Sequence, residues 1–178
     1  GAEAVQATTL ARETALLLAR QNGPASKWAR FSNLYAFNHG RALAAVGRHA
    51  EAIDMYGRAE GEWQKIQAEA PGQGNELRLA AIALKRGLSL LALGRRDEAR
   101  AQLVPVVPRY QAWAAEPALR HAALVNGGEA MLALAGLESG AAAADWQRQA
   151  REALTAADQL KPLIGEAAEL LARATAPR

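Results

Sequence analysis

The stretch GRALAAVGRHAEAIDMYGRA, residues 40–59, decides the fold of this chain. Its small and large residues recur every three or four positions, which is the spacing of one face of a helix. Gly47 stands in the middle, where a glycine can end one helix and let the chain turn back. Gly40 then faces the second helix, whose inner side carries three residues, namely Ala52, Tyr56 and Ala59. The stretch therefore predicts two antiparallel helices that approach closely at Gly40.

The same pattern returns 47 residues later, in GLSLLALGRRDEARAQLVPV, residues 87–106. Gly87 stands in the place of Gly40, and Gly94 in the place of Gly47. The charged pair after the turn is repeated as well, since Arg48 and Glu51 are matched by Arg95 and Glu98. A pattern that is matched twice at a fixed offset is typical of a repeat protein.

A third, weaker copy follows, with Gly128 in the place of Gly87. The second helix of this copy repeats the four-then-three spacing of the first copy with Ala150, Leu154 and Ala157. More residues separate these positions from the glycine than in the first two copies. We therefore predict a longer turn between the two helices of the third copy.

Length and composition favour one all-α domain. The chain has 178 residues, of which 51% are hydrophobic and only 5% aromatic. Ala, Leu, Arg and Glu are abundant and are good helix formers, whereas strand-forming residues are few. We predict about seven to eight helices in a single domain, residues 1–178, with Ser26 capping the second helix and a kink or a break at Pro105 and Pro108. The repeat copies span about 26–70, 75–115 and 118–161, and a final helix at 163–175 caps the stack.

Charge and hydropathy argue against nucleic acid and against a membrane span. The net charge is only +3, and the basic residues alternate with acidic ones along the helices, as in residues 96–98. No apolar run reaches the roughly 18 residues of a membrane helix. The chain opens with GAEAVQ and not with Met, which we interpret as a piece of a longer protein. The absence of Cys allows an oxidising compartment without requiring one, so the compartment stays open.

The repeated pattern resembles the tetratricopeptide repeat, a helix-turn-helix unit with a small residue inside its first helix, Gly at the turn and Ala, aromatic, Ala along its second. The resemblance implies a right-handed α-solenoid in which antiparallel hairpins stack. It also implies that Gly40 and Gly87 mark the closest approaches of paired helices. The period is longer than the roughly 34 residues of the family, as in relatives that resemble the kinesin light chain, and the family's Trp and Pro are missing from their usual places.

The resemblance further implies a concave groove, lined by the first helices, that holds an extended peptide or a partner's helix. Polar residues recur at the positions that flank each repeat glycine, above an apolar floor. Arg41 stands where the family's carboxylate clamp requires Asn, so we do not predict binding of chaperone tails. The same residues could instead be ordinary solvated helix positions. The predicted groove residues are Phe37, Asn38, Arg41, Leu84, Lys85, Leu88, Asn126 and Glu129.

The leading hypothesis is a non-catalytic module that binds a protein or peptide and needs no cofactor or metal. Arrays of this composition are similar to regions attached to bacterial eukaryotic-like Ser/Thr kinases, which implies a sensory role, in the periplasm if such a kinase spans a membrane. The alternative is a small-molecule sensor with a pocket lined by four aromatic side chains, those of Trp28, Tyr35, Trp63 and Tyr110.

Catalysis and aromatic ligand platforms find little support in the sequence. Cys is absent, and the three His residues lack partners at metal-ligand spacing. An enzyme would need groups that converge in a cleft, for instance His39 with Glu51 or Asp54. Trp28, Phe31 and Tyr35 share a helix face, which we interpret as core.

Overall fold

A computed structural model describes residues 1–23 and 27–176 of the chain, without the side chains of residues 29 and 30. These residues form helices and no strand, which confirms the predicted all-α class. Consecutive helices pack in neighbouring pairs, as in a helical solenoid. Ser26, the predicted cap, lies outside the described residues. The helices are α1 Ala2–Asn22, α2 Lys27–Ala45, α3 His49–Glu69, α4 Gln73–Ala92, α5 Arg96–Leu103, α6 Val106–Trp113, α7 Arg120–Leu137, α8 Gly140–Leu160 and α9 Glu166–Thr175.

The chain divides into two compact units. The first, Gly1–Arg95, contains α1 to α4, and the second, Arg96–Arg178, contains α5 to α9. The division falls inside the second predicted repeat copy, residues 75–115. Each unit has its own buried residues and is described in turn.

In the first unit, α2 and α3 form the hairpin that the sequence predicts. A β-carbon placed on Gly40 would lie 2.6 Å from Cε1 of Tyr56, which is closer than two carbon atoms can approach. The aromatic ring of Tyr56 therefore rests on the bare backbone of α2. Tyr56 is only 1% exposed, and Ala52 and Ala59 are fully buried on either side of it. The prediction of a close approach at Gly40 is confirmed.

The turns after α2 and α4 are built alike. Gly47 and Gly94 have φ angles of +79° and +74°, in the left-handed region that side chains disfavour. The N–H of Arg48 donates to the carbonyl of Leu43, and the N–H of Gly47 donates to that of Ala44, which together close the helix. The same two bonds recur 47 residues later, at Arg95 and Gly94. The predicted turn glycines are thus confirmed in both copies.

Replacing Gly47 by Ala should lower the free energy of unfolding by about 1 kcal/mol, because the left-handed conformation costs a residue with a β-carbon about that much. Equilibrium urea unfolding measures the change. Gly61→Ala is the matched control: Gly61 lies inside α3 with no atom within 4 Å of an added β-carbon, so alanine should leave stability equal or raise it. A Gly47→Ala variant as stable as the parent chain would contradict this account of the turn.

In the second unit, α7 and α8 repeat the contact of α2 and α3. A β-carbon on Gly128 would lie 2.6 Å from Cγ of Leu154, which is fully buried. Leu154 therefore takes the place of Tyr56, as the spacing of the third copy predicts. The flanking residues Ala150 and Ala157 are also fully buried.

The predicted longer turn in this hairpin is wrong. Only residues 138 and 139 separate α7 from α8, and the additional residues lengthen the two helices instead. Between the glycine and the turn, α7 is longer than α2 by about one helical turn, and α8 is longer before Leu154 than α3 before Tyr56 by about two. Whole turns return each residue to the same face, so the longer helices keep their buried sides aligned.

The kink or break predicted at Pro105 and Pro108 is confirmed as a break at Pro105, since α5 ends at Leu103 and α6 begins at Val106, whereas Pro108 lies in the first turn of α6. Pro105 has no N–H to continue the helix. The second copy is predicted to end at residue 115 and the third to begin at residue 118, and both bounds are wrong by two residues. The helix ends at Trp113, and α7 begins only at Arg120.

The side chain of Arg120 bonds to the two carbonyls that follow α6. The Arg120 guanidinium donates from Nε to the carbonyl of Ala114 at 3.0 Å and from its terminal nitrogen to that of Ala115 at 3.3 Å. A side chain thus satisfies carbonyls that lie beyond the end of a helix.

The last helix, α9, begins three residues later than predicted and packs against α8 and α7. It buries Leu170 and Ala174. The Gln147 amide of α8 donates to the carbonyl of Ala174 at 3.4 Å and to that of Ala176 at 3.2 Å. Its place beside α8 fits the predicted role of a cap on the last hairpin.

Candidate functional site

The first helices of the first two repeat copies, α2 and α4, are neighbours in the first unit. Both pack against α3, and they also contact each other. Residues at equivalent positions of the two helices are therefore presented on adjacent helices. Six of the eight predicted groove residues belong to this pair.

The structure separates these six residues by burial. Arg41 is exposed, whereas Asn38, Lys85 and Leu88 are half-buried. The two predicted floor residues are almost fully buried, since Phe37 is 8% exposed and Leu84 only 1%. A ligand in the groove could therefore touch little of either side chain.

Phe37 belongs to the hydrophobic core of the first unit, where its ring centroid lies 5.9 Å from that of Tyr56. The floor residues therefore support the groove from below and offer almost no surface of their own. The accessible part consists of Asn38, Arg41, Lys85 and Leu88.

Helix periodicity extends this surface along both helices. Residues 31, 34, 38, 41 and 45 of α2 share a face, as do residues 78, 81, 85, 88 and 92 of α4. Neither set contains an Asp or Glu, and together they carry three cations, Arg41, Arg78 and Lys85. Phe31 and Arg78 are exposed. We call these two sets the α2–α4 face.

Arg78 of this face is not among the groove residues predicted from the sequence. Those residues lie within three positions of a repeat glycine, whereas Arg78 lies nine residues before Gly87. The 47-residue offset pairs Arg78 with Phe31 and could have identified it.

The other two predicted groove residues lie on α7, in the second unit. Asn126 is half-buried, and Glu129 is 7% exposed. Burial and, secondarily, the charge of Glu129 raise the pKa of the Tyr110 phenol. Glu129 is therefore part of the interior of its unit, although the sequence predicted a groove position.

The aromatic side chains of α2 form a partly exposed row. The ring centroids of Trp28 and Phe31 are 5.8 Å apart, and those of Phe31 and Tyr35 are 6.4 Å apart. Phe31 is 40% exposed, so the prediction that this face is core is wrong for its middle member. The Lys27 ammonium lies 5.0 Å from the centroid of the Trp28 ring, as in a cation–π contact.

Two further aromatic residues were assigned to the alternative ligand pocket. Trp63 of α3 is half-buried and packs against the core of the first unit. Tyr110 is 2% exposed in the second unit, with its ring centroid 5.6 Å from that of Trp113. Tyr110 thus lies in the interior of the second unit, whereas Trp63 packs on the core of the first unit and stays partly exposed.

Of the three groups considered for catalysis, His39 and Glu51 contact other residues and not each other. Nδ1 of His39 lies 2.9 Å from the hydroxyl of Thr8 on α1. The Glu51 carboxylate accepts two bonds of 2.6 Å from the Arg48 guanidinium, and Asp54 is exposed. Burial first, and then the positive charges of Arg12 and Arg48, lower the pKa of His39, against the opposing effect of Glu51. Within residues 1–23 and 27–176, no three His, Asp or Glu side chains are placed to hold a metal ion.

Comparison with known proteins found no family model, curated protein or solved structure that matches this chain. In the part of the chain that the structure describes, no helix is both long and apolar enough to cross a membrane.

Proposed function

We propose that this chain is a tetratricopeptide-like module that binds a protein or peptide without catalysis, and that the α2–α4 face is its binding surface. One observation supports this proposal above the others. Two adjacent helices present equivalent rows of residues, and these rows carry cations and an amide but no carboxylate.

The chemistry of the face indicates an extended segment that carries Asp or Glu. The side chains of Arg41, Arg78 and Lys85 supply charge-assisted donors to carboxylates. The amide of Asn38 can bond to a peptide backbone in either direction, since it both donates and accepts. The positive charge of the α2–α4 face also speeds its encounter with an acidic segment and disfavours basic segments.

Selection from a random peptide library displayed on phage tests this proposal. Peptides that bind the intact chain should be enriched in Asp and Glu. The charge reversals Arg41→Glu and Lys85→Glu together should weaken binding of the selected peptides by about tenfold or more, since two charge contacts at the surface contribute up to about 1 kcal/mol each and reversal adds repulsion. Isothermal calorimetry measures the affinity.

The matched control reverses two exposed charges of α3, with Arg58→Glu and Lys65→Glu, and so changes the net charge equally. It should leave affinity within about threefold. Selected peptides without acidic enrichment, or an equal loss in both double variants, would refute the α2–α4 face as the binding surface.

The setting in a bacterial Ser/Thr kinase, with this module as its sensory or scaffolding part, is proposed from the resemblance of the repeats alone. The small-molecule alternative is supported by the partly exposed row of Trp28, Phe31 and Tyr35. Quenching of Trp fluorescence by a small ligand that leaves the selected peptides bound would favour the alternative.

A further inference from the structure

Helix α1 has one fully buried side chain. Among its residues only Ala15 is buried, and Val5 packs against the hydrophobic core of the first unit. Leu10 and Leu17 are 65% and 55% exposed, and Leu16 and Leu18 are half-buried. Because buried apolar area stabilises by only about 25 cal/mol per Å², a polar contact can shift the docking of a helix whose leucines all keep some exposure.

The polar contact between α1 and α2 is made by a histidine. His39 of α2 is 9% exposed, and its Nδ1 lies 2.9 Å from the hydroxyl of Thr8 on α1. This hydroxyl lies within 3.0 Å of the carbonyls of Ala4 and Val5 on its own helix, so it can donate there and accept from the imidazole.

Three charged groups from the packed elements act on this imidazole. Arg12 comes from α1, Arg48 from the turn between α2 and α3, and Glu51 from the first turn of α3. The single carboxylate already holds the Arg48 guanidinium at 2.6 Å. A protonated imidazole would therefore be a third cation beside one anion, with little water to screen it.

We propose that His39 makes the docking of α1 acid-sensitive, so that protonation of the buried imidazole weakens the packing of α1 against α2. The α2–α4 face takes no part in this effect, and His39 has no role in the proposed binding of a peptide. Release of α1 exposes the imidazole to water and removes the charge of Arg12 from it, without a change within α2 or α3.

The direction of the pH effect follows from linkage. The pKa of His39 in the docked state lies below its ordinary value of 6.5, so the undocked state binds the proton more readily. Docking is therefore at full strength above pH 6.5 and is lost as the pH falls below 6.5 towards the docked-state pKa. A single proton changes the docking equilibrium by at most about tenfold per pH unit in that window.

Hydrogen exchange of the whole chain at pH 7.5 and 5.5 tests the switch, with each rate divided by that of the unstructured peptide at the same pH. Protection of α1 should fall at pH 5.5 by several-fold, within the bound of about tenfold per pH unit, while protection of α3 changes less. His39→Gln keeps a bonding group for Thr8 but cannot titrate, so it should abolish the difference.

Arg12→Gln provides a second variant if His39→Gln does not fold. It removes the repelling charge on α1 and should shrink the pH effect. Arg20→Gln, the same change at the far end of α1, should leave it intact. His49→Gln should also leave it intact and so separates His39 from the other histidine of the first unit.

The proposal is overturned if α1 keeps its protection at pH 5.5, if α3 loses protection equally, or if the loss persists in His39→Gln.

Discussion

Replacing Gly40 by leucine should destabilise the first unit by about 3 kcal/mol or more, the upper part of the range for overpacked cores. The β-carbon alone would lie 2.6 Å from Cε1 and 2.9 Å from Cδ1 of Tyr56. The ring cannot move aside easily because it is 1% exposed and flanked by Ala52 and Ala59, both fully buried. The two helices must therefore separate. Urea unfolding followed by circular dichroism measures the loss.

Gly57→Leu is the matched control for this prediction. Gly57 also lies in the α2–α3 hairpin, inside α3, but no atom lies within 4 Å of an added β-carbon. Leucine there should be neutral or raise stability by up to about 1 kcal/mol, because it is a better helix former than glycine. If Gly40→Leu were tolerated as well as Gly57→Leu, the close approach of α2 and α3 at Gly40 would be refuted.

Truncating Leu154 to alanine should cost the second unit about 2 to 5 kcal/mol, as for other buried leucines. Leu154 is fully buried, and its side-chain carbons Cγ, Cδ2 and Cδ1 lie 2.6, 2.9 and 3.2 Å from the position of a β-carbon on Gly128. These same atoms are the ones that the truncation removes. The space they leave is therefore the space that a methyl group on α7 would enter.

The double variant Gly128→Ala with Leu154→Ala should consequently be more stable than the sum of the two single changes predicts, by about 1 kcal/mol or more. Gly128→Ala alone should destabilise, and Gly136→Ala, on the same helix with no atom within 4 Å, should not. Strict additivity in the double-mutant cycle would show that Gly128 and Leu154 do not share this space.

The sequence predicted the α2–α3 hairpin well because its determinants are local. Gly40 and Tyr56 lie 16 residues apart, and the glycine, the turn and the aromatic face can be read from one stretch. The turn at Gly47 needs only a residue that accepts a positive φ, and glycine accepts it most readily. The turn at Gly94, 47 residues later, follows the same rule.

The prediction of a longer turn failed because the number of residues between two positions does not show whether the additional residues lengthen the turn or the helices. The extra residues of the third copy were assigned to a turn, but Ala-rich segments such as residues 140–144 extend a helix at little cost. Periodicity likewise does not give the depth of Phe37 and Glu129, which are 8% and 7% exposed. Periodicity gives the face on which a residue lies, whereas the distance to the next helix sets how much of that residue remains exposed.

The lengthening of α7 and α8 limits how a hairpin of this kind can be extended. Compared with the α2–α3 hairpin, one arm is longer by four residues and the other by seven, which adds about 6 Å and about 10 Å. At 3.6 residues per turn, four residues exceed one turn by about 40° and seven fall short of two turns by about 20°, so inward-facing side chains stay close to the same side. An extension by about half a turn would instead point the inner face away from the partner helix, so the height of such a hairpin can change only in steps of about one turn if the glycine contact is kept.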